Sequence, residues 1–208
     1  MKYYSLIALF LLLSCGKQEA VLLPKSDTTV VADVVDHSPI YIFFRIEGKD
    51  TLAEVNRKNS IISTNWILNI DKRLPLRLVI PEVMKLQKKK REEKAHKNES
   101  AENYYAYADS IGKNMAFIPF TKVYYDIKKP IGTVIYFNRR NEILIENNIV
   151  ERERMKELLI LNASKKGADK ITFSFDKDLS FGNYLQNKIF LASLNLNLNS
   201  KDTNEYIW

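Results

Sequence analysis

The sequence predicts an α+β fold: a small sheet with helices packed on one face, running ββαβαβ through its C-terminal part, with two related modules in tandem. Three observations carry this expectation. Runs rich in β-branched and aromatic residues alternate with amphipathic stretches along the chain. That order is most regular in the last third. Finally, two stretches 105 residues apart line up: WILNIDKRLPLRLV from Trp66 and ITFSFDKDLSFGNY from Ile171. Each reads as a strand ending in Asp-Lys, a short turn and a helix.

Residues 1–14 read as a signal peptide. Lys2 supplies the positive start, and Leu6 to Leu13 is an unbroken apolar run. As a helix it would rise about 12 Å, less than half the roughly 30 Å hydrocarbon core of a bilayer. The following LLSC resembles a bacterial lipobox, with Leu12, Ser14, Cys15 and Gly16 in place. Cys15 is the only cysteine, so the expectation is a lipidated N-terminus and no intramolecular disulfide. The mature chain then runs from Cys15, and loss of Lys2 takes its formal charge from +7 to +6. Outside the cytoplasm that excess suits anionic headgroups or simple solubility rather than nucleic acid.

Residues 15–39 read as a lipidated tether containing one β-branched patch, Thr28 to Val35. An N-terminal α+β module is expected over 40–127. Its strands are Ile40–Ile46, Thr51–Val55 and Asn65–Ile70, and its helix places Leu76, Val79, Ile80, Val83 and Met84 on one stripe. Pro75 suits the first turn, whereas Pro81 should kink the helix or mark its start. The charge run KLQKKKREEKAHK reads as a solvated helix end. Residues 98–114 read as a loop with a helical piece carrying Tyr104, Tyr105 and Tyr107, and Met115–Ile127 as one or two strands broken at Pro119. The C-terminal module, 128–208, is expected to fold by itself. It reads as strands 131–138 and 142–149, a helix 151–162, strand Ile171–Phe175, a helix capped by Ser180, and a last strand at LNLNLN, 194–199.

Both copies of the strand–Asp-Lys–turn–helix motif resemble the periplasmic domain of the ExbD/TolR biopolymer-transport proteins. IDKRLPLRLVIPEVMKL is similar to the family's strand-to-helix turn with Pro75 in place, and FDKDLSFGNYLQNKIFL with Gly182 in place. The better match covers about 131–199. The resemblance implies a module that dimerises and binds peptidoglycan or partner proteins, as an accessory of a biopolymer-transport or TonB-type system. Family members carry a transmembrane helix with an acidic residue for proton flow; here a cleaved signal and a lipid stand instead. No partner-binding residue follows from so short a motif. The resulting expectation is a periplasm-facing envelope protein of a bacterium, anchored through Cys15, with an envelope protein complex, peptidoglycan or a second copy as its partner.

No catalytic set, metal site or cofactor motif is legible. His37 and His96 lack metal-ligand spacing, and the adjacent Asp36-His37-Ser38 cannot converge as a triad. Asp71 and Asp176 are expected to bind N–H groups at the following helix starts rather than to pair as a site. Three triplets, Asp27-Thr28-Thr29, Asp50-Thr51-Leu52 and Asp109-Ser110-Ile111, resemble an O-glycan acceptor motif. The competing expectation is a lipoprotein that binds or processes surface glycan or a small ligand, with Tyr104 to Tyr107 as sugar-stacking candidates.

Overall fold

A computed structural model describes residues 20–95, 97–164, 171–195 and 203–208. Cys15 and the rest of the lipobox lie outside the described residues, as does His96.

The first sheet starts with β1 (Lys25–Ser26) and the hairpin of β2 (His37–Glu47) and β3 (Asp50–Asn56). Gly48 holds φ 63° at the hairpin tip, a left-handed conformation that glycine adopts without a Cβ penalty. β4 (Asn65–Ile70) lies parallel to β2, and helix α1 (Leu76–Glu92) returns the chain to β5 (Asn103–Asp109), parallel to β4. β6 (Met115–Pro119) runs antiparallel to β5, and the two residues of β1 pair beside the end of β5.

The second sheet repeats this plan. β8 (Thr133–Phe137) and β9 (Ile143–Ile145) form its hairpin, extended by β10 (Asn148–Val150). After α2 (Arg152–Ala163) come β11 (Ile171–Phe175), α3 (Phe181–Ser193) and β12 (Thr203–Ile207). Thus β3-β2-β4-β5 in one sheet corresponds to β9-β8-β11-β12 in the other, with α1 matching α3. The free edge of β12 is taken by β7 (Val123–Asp126), which follows β6 in the chain but pairs in the second sheet. One cluster of buried apolar residues runs through both sheets, from Ile40 and Trp66 to Phe137 and Phe175.

The repeated turns meet each other. Leu76 N–H donates to Leu179 O and Phe181 N–H to Leu74 O; Arg77 N–H donates to Lys177 O and Gly182 N–H to Lys72 O. These four bonds are related pairwise by the 105-residue offset, so the two copies face each other about a local two-fold axis near Pro75 and Ser180. Leu74, Leu76, Leu179 and Phe181 point inward and are fully buried. The approach is close at Gly182, where a Cβ would stand 3.1 Å from Lys72 Cβ and 3.2 Å from Lys72 O. Gly182→Ala is therefore expected to lower stability by about 1 kcal/mol in urea titration, overpacking outweighing the better helix propensity of alanine.

Several expectations are corrected. From Leu22 onward the tether is a strap: Leu23, Val31 and Val34 cover the outer face of the first sheet against Ile67, Ala106 and Phe117. Val31 and Phe117 exchange backbone hydrogen bonds. Residues 103–109 form a strand, not a loop with a helical piece, because Tyr105 and Tyr107 face one core while Tyr104 and Ala106 face the strap. Pro81 lies inside α1, which continues through it, and Pro75 is its N-cap. Positions 196–199 of LNLNLN lie outside the described residues; Leu194 caps α3, and the final strand is TNEYI. Ser180 does cap α3, accepting from Asn183 N–H at 3.3 Å.

Candidate functional site

Among the described residues, His37, Asp71, Asp176 and the tyrosines singled out by sequence are engaged in the fold. His37 Nδ1 lies 2.6 Å from the Val34 carbonyl at the start of β2. Asp71, fully buried, accepts from Arg73 N–H, the Arg73 guanidinium and Leu22 N–H. Burial opposes its ionisation, but the hydrogen bonds from Arg73 and Leu22 and the Arg73 charge hold it below the usual carboxylate range. Asp176 accepts from Tyr136 OH and Asp178 N–H. Both aspartates bind the turns, two residues on, rather than the first helical N–H groups. Tyr105 and Tyr107 are fully buried and Tyr104 donates to Glu102, so these tyrosines form no sugar-stacking platform.

The charge run hides one residue that its spacing did not betray. Lys90 is buried, donates to Thr64 O, Glu102 O and Asn103 Oδ1, and sits 4.9 Å from the centre of the Trp66 ring. Burial pushes its ammonium down to about 8, the Glu102 charge acting the other way. Because the folded value lies below the ordinary 10.5, the unfolded chain holds the extra proton between those values, and stability rises with pH through that window. Burial raises Tyr105, Tyr125 and Tyr184, so above about pH 10 the unfolded chain ionises first and stability falls. Denaturant midpoints measured across pH are expected to peak between about pH 9 and 10. Lys90→Met should remove the rising limb and, by orphaning carbonyls, cost about 1–3 kcal/mol at neutral pH.

Two open surface features remain. The first is a groove of about 620 Å³ beside the β2–β3 hairpin and α1, floored by Ala53 and Leu78 and flanked by exposed Ile46 and Leu52. β3 pairs only with β2 among the described strands, so seven residues of main chain present an open edge there. The corresponding edge of the other half, β9, is covered by β10. Charges of both signs stand around the groove: Glu47, and the ion pairs of Arg45 with Glu54 and of Lys85 with Glu82, both at 2.6 Å. An edge strand beside an apolar groove can accept an added strand, the main chain supplying affinity and the groove selecting side chains.

The second is a cleft of about 430 Å³ between the strap and α3, lined by Ser26, Thr28, Ser110 and Ser193 hydroxyls with Arg152 and Gln186. Two of the three acceptor-like triplets meet beside it, Thr29 Oγ1 donating to Asp109 Oδ2 at 2.5 Å. The third lies on β3.

Among the described residues no helix is long and apolar enough to cross a membrane. Comparison with protein-family models, with curated proteins and with solved structures finds no match to the chain.

Proposed function

We propose that this chain is a lipid-anchored, non-catalytic protein of a bacterial cell envelope, facing the periplasm. In this reading it is an accessory of a biopolymer-transport or TonB-type system and binds an extended segment of a partner protein along β3. The observation that carries the proposal is the open β3 edge beside its apolar groove. The apolar groove with Glu47 at its rim suits a partner segment that combines apolar side chains with a Lys or Arg. The resemblance of both turn motifs to ExbD/TolR domains supports the transport setting, and the Cys15 lipobox supports the anchor.

A second reading, binding of glycan or cell wall, is favoured by the hydroxyl-lined cleft, whose donors and acceptors suit a polyhydroxylated ligand. One experiment separates the two. The lipidated protein is purified from gently solubilised envelopes beside Leu52→Lys and Cys15→Ala variants. Transport components recovered with the native chain and lost with Leu52→Lys are the expected result. Pelleting with purified peptidoglycan that is indifferent to Leu52→Lys would instead move the function to the cleft.

A further inference from the structure

The two turns that meet at the local two-fold axis form a short antiparallel ribbon with an alternating pattern. Its apolar residues face the core, while Lys72, Arg73, Arg77 and Lys177 are exposed, with Asp178 the one exposed acid of the segments 72–77 and 177–182. Arg73 pairs with Asp71 and Arg77 with Asp178, both at 2.7 Å. Lys72 and Lys177 have no ion pair among the described residues. The strap is clamped to this same ribbon: Leu22 N–H donates to Asp71, and Lys72 N–H donates to Leu22 O. Two partly exposed apolar side chains flank it, Leu22 itself and Trp208, whose carbonyl accepts Lys177 N–H.

Only six residues, seven Cα-to-Cα steps, therefore separate Cys15 from Leu22, a fixed point on the ribbon. Fully extended they reach about 25 Å, less than the roughly 40 Å breadth expected of a folded chain this size. An acylated Cys15 would hold this face against the bilayer. Lysines beside aliphatic and Trp side chains are the surface chemistry of a membrane interface.

We infer that the ribbon of residues 72–77 and 177–182 is the face this protein turns to its membrane, where Lys72 and Lys177 bind anionic lipid headgroups. The inference rests on the lipid anchor proposed above.

Full-length protein extracted from membranes, its acylation checked by intact mass, is reconstituted into vesicles of phosphatidylglycerol with phosphatidylcholine, or of phosphatidylcholine alone, neither of which carries a primary amine. A membrane-impermeant amine reagent then labels lysines at low conversion, read by peptide mass spectrometry. Labelling at Lys72 and Lys177 is expected to slow about fivefold in the anionic vesicles relative to the neutral ones. Exposed Lys58 and Lys94, at the opposite end of β4 and α1, should label equally in both. The difference should vanish at about 1 M salt, where screening shortens to about 3 Å. An acylated protein whose Lys72 and Lys177 label alike in both vesicles, or whose four lysines slow together, overturns the assigned face while leaving the anchor standing. A mass without acyl chains overturns the anchor, and the assigned face with it.

Discussion

A fragment beginning at Pro130 is expected to show no cooperative thermal transition, although the sequence alone suggests an autonomous module there. The reason is the path of β7. Its residues Val123 and Tyr125 are buried, and it closes the edge of β12 in the second sheet although it precedes residue 130. Removing residues 1–129 strips that strand, takes Tyr105 from the rings of Phe181 and Tyr184, and breaks the four backbone hydrogen bonds of the meeting turns beside Leu179. Fewer than eighty residues would remain, a size at which a single core is already marginal. Co-expressing residues 15–129 with 130–208 should restore a cooperative, co-purifying pair. A sharp melt from the isolated fragment would show that each half carries its own core.

The second large effect is expected at Glu205. This carboxylate is buried on β12, accepts from Tyr184 OH at 2.6 Å and is bonded by Lys188. With the Tyr184 proton committed to Glu205, Tyr125 must donate to Tyr184 at 3.0 Å and Tyr105 to Tyr125 at 2.7 Å. One acid thus sets the direction of a hydroxyl chain reaching from β12 through α3 and β7 to β5, across both halves. Glu205→Ala leaves the mostly buried Lys188 ammonium and Tyr184 OH without their acceptor, and should cost about 3–5 kcal/mol in denaturant titration. At the far end of the chain Tyr105→Phe removes one neutral donor and should cost only about 1 kcal/mol. Equal losses would mean that the network is held by packing rather than by the charge.

What could be read from residue order follows local physics closely. β4 and β11 are short runs of β-branched and aromatic residues bounded by Asp-Lys, and both helices after them carry an apolar stripe at helical spacing. Those are local signals. The strap, β5 and β12 are made by distant partners and leave weaker traces, whereas β6 and β7 are the two strands expected on either side of Pro119 and only the pairing of β7 in the second sheet was hidden. Leu23, Val31 and Val34 have no regular period, because they cover a sheet face as single anchors rather than as an element. β12 reads as polar because Glu205, which sequence logic places in solvent, points into the core and is paired there with Lys188 and Tyr184. Lys90 was hidden in the same way, one buried ammonium in a run of solvated ones. Neither open surface feature was legible in sequence: the groove needs the β3 edge to be left unpaired, which only the topology decides.

The Asp-Lys repeat, by contrast, was visible as a pattern before its use was. The resemblance implied a module that dimerises, and within this chain the two turns already meet as a local two-fold pair through four backbone hydrogen bonds. The inward faces of the two turns are thereby occupied internally, while the outer, basic face of the ribbon and the β3 edge stay exposed.

The proposed envelope function depends first on Cys15, and the intact mass of the protein extracted from bacterial membranes tests it most directly. The expected mass is that of a chain beginning at Cys15 and carrying acyl groups on that residue, with the Cys15→Ala variant retained as an unprocessed or soluble form. A native chain that begins elsewhere, or begins at Cys15 without lipid, would contradict the anchor and with it the envelope function proposed here.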